Sequence, residues 1–225
     1  KAIVEIAKKH NIKTVADNTF MTALYQKPLD LGCDIVIESL TKFVNGHSDV
    51  TAGCAVTNNE EIANEICLLQ KNFGGILGVE DAWLILRGMK TMGLRMEKSV
   101  ENAKILTKFL ETQDKIKKVY YPNLTSCKFY DIHTEQASSG GAVFSFEFFE
   151  QDDLKTFLKK IKIPIYAISL GGVESIISHP ATMSHACMSE EERLAQGVTQ
   201  TLLRFSCGVE DSEDLIEDLK QALNN

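Results

Sequence analysis

Apolar and polar positions alternate along this chain in two rhythms. Over residues 1–10 the spacing is helical, with Ile3, Ile6 and Ala7 on one face, Lys8 and Lys9 on the other, and Asn11 as a stop. "TVADNTF" then reads as a short buried strand ending at Asp17 and Asn18, "DIVIESL" as a second strand and "VTAGCAVT" as a third. Strands that alternate with helices and are apolar through their length predict an α/β sheet buried on both faces. A helix is predicted over 59–73, with Ile62, Ile66 and Leu69 as its inner stripe, followed by the glycine-rich break "NFGGILG". A long helical pattern covers 79–110, and Gly88 and Gly93 predict a bend within it. A domain change is placed there, dividing the chain into 1–93 and 94–225.

The second part reads as α+β. "KIKKVYYP", "GGAVFSFEFF" and "TLLRFSCG" are strands, and "QDDLKTFLKKI" and "EDSEDLIEDLKQAL" are helices. "SEEERLAQG" carries a Ser with Glu three positions on, a capping box. Met89, Met92 and Met96 share a helix face, which predicts core packing. Repeats and low-complexity tracts are absent. The sequence starts within a helical pattern and without Met, which raises the expectation that an N-terminal part precedes it.

Composition narrows the function classes. Among 225 residues, 24 Lys and Arg stand against 31 Asp and Glu, a net charge of -7. With the lysines scattered, sequence-independent binding to nucleic acid is not expected. No apolar run reaches membrane-spanning length. Cys33, Cys54, Cys67, Cys127, Cys187 and Cys207 form no close Cys-x-x-Cys pair, so they read as buried free thiols of a reducing, cytoplasmic compartment.

The candidate chemistry lies in "ESLTKFVNGHSDV". Asp17 ends one predicted strand and Lys42 follows the next, so both fall where ligands collect in open α/β sheets, outside the carboxyl ends of strands. Thr19, Ser39 and Thr41 add hydroxyls. An amine for an aldehyde, a carboxylate for a ring nitrogen and short donors for a phosphate suit a pyridoxal phosphate site. Spacing alone leaves the plainer alternatives standing: Lys42 as a solvated loop cation, and Asp17 as a turn former.

Four ordered stretches, "VADNTF", "DIVIESLTKFVNGHSDVTAG", "SLGGVESIISHPATMSHA" and "LLRFSCGVEDSEDLIEDLKQAL", closely resemble the Cys/Met-metabolism family of pyridoxal phosphate enzymes. The resemblance runs over essentially the whole chain. It implies the second half of a fold-type I (aspartate aminotransferase-like) large domain, joined to a small C-terminal α+β domain. It implies pyridoxal 5'-phosphate as cofactor, covalently held by Lys42, with Asp17 on the ring nitrogen. Ser39 and Thr41 would bond the phosphate or hold the lysine, with Thr19 nearby. Ser169 and Arg204 would bind the substrate's α-carboxylate, a task that suits the planar guanidinium fork.

The implied activity is that of a carbon–sulfur lyase of transsulfuration and methionine metabolism. α,β-Elimination of cystathionine is the first choice. Methionine γ-lyase, cystathionine γ-lyase and cystathionine γ-synthase are alternatives, and a catalytically incomplete fold or assembly unit is the alternative of another class. A sulfur-containing amino acid is the expected partner, in a homotetramer built as a dimer of dimers whose subunits share active sites. Further family residues of the site lie N-terminal to this segment.

The chain departs from the family at Leu40, where a small residue is usual, and at Glu38, often His. Ile168 stands where several cystathionine-processing relatives carry Glu; an apolar side chain offers nothing to a distal ammonium. His47 reads as a loop-fixing hydrogen bonder. His179 and His185 lack further ligands at useful spacing, so no metal is expected. The glycines of "NFGGILG" and "LGGVE" read as turns rather than phosphate cradles.

Overall fold

The computed structural model describes residues 1–224 and contains two sheets. The first part runs α1 (Ala2–Lys9), β1 (Val15–Asp17), α2 (Thr22–Tyr25), β2 (Ile35–Ser39), β3 (Gly53–Val56), α3 (Glu60–Phe73) and α4 (Val79–Met89). Its strands form one sheet in the order β1-β2-β3, with β1 parallel and β3 antiparallel to β2. The helical pattern over 79–110 breaks at Lys90 and Thr91, beyond which α5 (Met92–Leu110) begins.

The remainder comprises β4 (Ile116–Tyr120), α6 (Tyr130–Thr134), β5 (Val143–Phe148), α7 (Gln151–Lys160), β6 (Ile165–Tyr166), β7 (Ile176–Ser178), α8 (Glu190–Ala195), β8 (Leu202–Ser206) and α9 (Ser212–Leu223). Its sheet has the order β4-β5-β8-β7-β6. The two-residue β6, β7, α2 and α6 are too short for periodicity to reveal.

Period two decides the two faces of this second sheet. Phe144, Phe146 and Phe148 alternate along β5, and in register Phe144 lies opposite Phe205, Phe146 opposite Leu203 and Ile177 opposite Phe205. All of these are buried. Phe144 stacks on Phe205 with ring centroids 5.1 Å apart, and Phe146 meets Phe157 of α7 edge-on at 5.9 Å. α5 contributes Met96, Val100, Ala103, Leu106 and Leu110, and α9 contributes Leu215, Leu219, Ala222 and Leu223, each set at helical spacing. Arg204 falls on the opposite face, across from Ser145 and Ser178.

Several expectations are corrected. The small sheet is not buried on both faces: Val15 of β1 and Val56 of β3 are about half exposed. In α1 the buried positions are Val4 and Ala7, while Ile3 and Ile6 point outward. α3 buries none of its residues; Ile62 and Ile66 are half-covered and Leu69 is exposed. The reason is shared, since periodicity reports which face is apolar but not whether a neighbour covers it. Met96 is buried and Met92 partly so, but Met89 lies on the other helix, exposed. Of the cysteines only Cys207 is buried; Cys67 and Cys187 are exposed and the other three half-buried. The Ser189–Glu192 capping box forms as expected. Among the described residues, no helix is long and apolar enough to cross a membrane.

Candidate active site

The site grows from the end of β2. After Ser39 the backbone enters a wide, irregular helical turn, Leu40–Val44, in which Lys42 departs from helical geometry at φ -97 and ψ -135. The turn is clamped from three sides. The Thr41 hydroxyl donates to the Ala52 carbonyl at 3.2 Å and accepts from the Ala52 N–H at 2.9 Å, which ties it to the start of β3. Arg95, buried on α5, donates to the carbonyls of Phe43 (2.8 Å), Val44 (3.1 Å) and Gly88 (2.9 Å). Gly171, at φ +81, comes so close that a Cβ there would lie 2.7 Å from the Phe43 nitrogen and 3.0 Å from the Lys42 Cβ.

Lys42 therefore points away from its own clamps. Its Nζ donates to the Ser169 Oγ at 3.1 Å, a contact across 127 residues of sequence. Arg204 donates to the carbonyls of Ile168 (2.9 Å) and Ser169 (3.0 Å). Desolvation lowers the pKa of the Lys42 ammonium, and the like charge of Arg204 lowers it further. Burial also lowers that of Arg204.

On the other side of Lys42 a cleft of about 520 Å³ opens, lined by Asp17, Asn18, Thr19, Phe20, Met21, Gln26, Ser39 and Lys42. Its size is that of a small-molecule site. A larger hollow of about 830 Å³ lies elsewhere, around Tyr120, Phe129 and His133, away from this chemistry. The Asp17 carboxylate accepts from the Thr19 N–H at 3.0 Å, and the Thr19 hydroxyl accepts from the Ser39 N–H at 2.9 Å. The structure thus gathers Asp17, Thr19, Ser39 and Lys42 on one cleft and joins Ser169 and Arg204 to it through the lysine. Thr41 is turned instead toward Ala52.

A family model for the Cys/Met metabolism PLP-dependent enzymes matches residues 1–224. The chain belongs to this family. Among curated members, it is 48% identical over 223 residues to cystathionine beta-lyase MetC of Bacillus subtilis (strain 168), covering 99% of this chain and 57% of the relative. It is 43% identical to the cystathionine gamma-lyase of the same organism, over 99% of this chain and 59% of that one. A crystal structure of cystathionine gamma synthase from Xanthomonas oryzae pv. oryzae, in complex with aminoacrylate and cysteine, superposes with a TM-score of 0.96 at 38% identity. That match covers 99% of this chain and 58% of the neighbour. The chain therefore spans less than two thirds of the length of these relatives.

The family is PLP-dependent, and the residues on the cleft suit that group. A desolvated primary amine, a carboxylate and hydroxyls on one cleft are the donor set its aldehyde, ring nitrogen and phosphate call for. Motif reading missed Phe20, Met21 and Gln26 as cleft walls, although two of them follow Asp17 within four residues. It also missed Arg95, which a helical, amphipathic context makes look like any surface arginine. Gly171 was read as a turn, but the turn exists to let two loops touch. His47 fixes its loop, with Nδ1 2.6 Å from the Asn45 carbonyl oxygen. His179 is held by Thr182 and Gln200, and no metal-ligand cluster occurs among the described residues.

Proposed function

We propose that this chain carries the lysine-bearing part of a PLP-dependent carbon–sulfur lyase that eliminates homocysteine from cystathionine. The observation that carries the reading is the contact of Lys42 with Ser169, whose carbonyl is held by Arg204. It brings an amine with a lowered pKa and a carboxylate-binding guanidinium to one point, as an amino-acid substrate requires.

When bound, pyridoxal phosphate ties to a primary amine and takes up the electron pair released as a bond to Cα breaks. Lys42 would hold that group and would take the Cα proton; its lowered pKa makes the neutral base available nearer neutral pH than an ordinary lysine. Asp17 would pair with the ring nitrogen, with Ser39 and Thr19 on the same cleft; Thr41 keeps the turn in place. Arg204 receives the substrate carboxylate, with the Ser169 hydroxyl beside it. Loss of the β-thiolate and hydrolysis then yield homocysteine, pyruvate and ammonia.

γ-Elimination or γ-replacement is the second reading, supported by the relatives with those names. Ile168, 66% exposed beside Arg204, favours an apolar thioether such as methionine over a substrate with a distal ammonium. The break at Lys90 and Thr91 supports a domain change near 93/94. Phe73, Val79 and Trp83 are large, exposed apolar side chains of the kind a homo-oligomer would cover, and a dimer of dimers is the assembly proposed. If instead the chain serves only as a fold or assembly unit, it will take up no cofactor.

The test is borohydride reduction of the protein after incubation with pyridoxal phosphate. The adduct is expected on Lys42 alone; labelling spread over surface lysines overturns the reading. Pyruvate from cystathionine supports β-elimination, whereas 2-oxobutyrate and methanethiol from methionine would establish the γ-reading.

A further inference from the structure

Glu38 is a buried acid that the proposed chemistry leaves unused. It is 8% exposed, and on β2 it points to the face opposite Ser39, beneath the cleft rather than into it. The Asn18 side-chain amide donates to its Oε1 at 3.2 Å, and the Ala23 backbone N–H also bonds to it. The same Asn18 amide donates to the Gln26 carbonyl at 3.0 Å. Between them lies Thr22, fully buried and at φ 53, a left-handed conformation that β-branched residues seldom adopt. Glu38 thus holds Asn18 and Ala23 of a strained segment whose far end, Gln26, is held by Asn18, and that segment supplies Asn18, Phe20, Met21 and Gln26 to the cleft wall directly after Asp17.

Two titratable groups face Glu38. Asp17 acts on it from β1, and Cys54, a thiol, lies opposite it on β3. Among the described residues no cation pairs with it. Burial pushes the carboxyl up, and the Asp17 charge adds to this. Conversely, burial and the charge of Glu38 raise the Cys54 thiol, so Cys54 reports the charge on Glu38.

We propose that Glu38 is a positioning residue for the cofactor acid. It fixes the 18–26 wall and places, behind Asp17, a second negative charge that strengthens proton retention at the ring nitrogen opposite Asp17. This rests on the placement of pyridoxal phosphate proposed above. A glutamine would keep the acceptor for Asn18 and Ala23 and remove only the charge.

Glu38→Gln and Glu38→Ala test it with two readouts other than turnover. In the protein without cofactor, residue-resolved alkylation at fixed pH is expected to speed up at Cys54 about three- to tenfold in Glu38→Gln, with Cys33 and Cys127 unchanged as controls. With pyridoxal phosphate carrying 15N in the ring and reduced onto Lys42, the ring nitrogen is expected to bind its proton about three- to tenfold more weakly in Glu38→Gln. Glu38→Ala is expected to weaken cofactor binding further, because it also releases the 18–26 wall. Unchanged Cys54 alkylation, or a ring-nitrogen titration identical to the parent with the Lys42 adduct formed, overturns the proposal. Absence of any Lys42 adduct in the unsubstituted protein defeats the cofactor reading itself, before any Glu38 comparison is made.

Discussion

The two sheets of this chain divide stability from chemistry. The five-stranded sheet packs Phe144, Phe146, Phe148, Phe205 and Leu203 against α5, α7 and α9, all at or near zero exposure. The three-stranded sheet has Val36 as its one buried aliphatic strand residue, and α3 beside it buries nothing. Yet Asp17 and Ser39 belong to the thin sheet, and Lys42 to the turn that follows its central strand. Its active turn is held by loans from the thick one: Arg95 from α5, Gly171 and Ser169 from the β6–β7 loop. Lys42, whose amine reaches Ser169 beside Arg204 of the other sheet, is placed by those contacts rather than by its own strand.

The contrast is sharpest in mutations. Phe146→Ala empties a fully buried site and is expected to cost about 3–5 kcal/mol in chemical denaturation. Arg95→Ala removes the guanidinium donor from the carbonyls of Phe43 and Val44, and one of several donors from that of Gly88, and is expected to cost about 1–3 kcal/mol. It should also lower the yield of cofactor trapped on Lys42, which Phe146→Ala leaves intact in the folded fraction. If Arg95→Ala keeps full trapping, the borrowed-support view is wrong.

A pH series gives the next effect. The folded-state pKa of Lys42 is lowered relative to the unfolded chain, so the charged form costs stability below it. That cost is full below the lowered value and fades as pH rises from it to the ordinary lysine range. Amine-selective labelling of Lys42 is therefore expected to reach half-maximum at a lower pH than that of surface lysines; equal midpoints would refute the desolvated amine. The smallest effect is expected at Leu69→Ser on exposed α3, within about 0.5 kcal/mol. A loss there comparable to Phe146→Ala would break the contrast between the sheets.

Much of the fold was legible because both rhythms are strong where packing is strong. The stripe of α5 and α9 and the alternation of β5 and β8 read directly from residue spacing. The thin sheet read less well: Ile3, Ile6 and Leu69 carry a stripe that no described neighbour covers. For the site, "DNTF" and "ESLTKFVNGHSD" marked Asp17, Thr19, Ser39 and Lys42 because strand ends collect ligands. Thr41 was named with them, and its hydroxyl turned out to close on Ala52. No local pattern distinguishes a hydroxyl that faces a cleft from one that faces a backbone.

By itself, then, the sequence determined the periodic elements, the capping box at Ser189 and the residue types available for amine, acid and hydroxyl chemistry. These depend on neighbours within a few positions. Tertiary structure alone decided that Lys42 meets Ser169 beside Arg204, that Arg95 is a clamp, and that Glu38 is a buried acid bonded to Asn18. The Asn18–Glu38 and Lys42–Ser169 bonds join residues 20 and 127 positions apart, and desolvation, which moves the Lys42 and Glu38 protons, exists only once such distant segments exclude water.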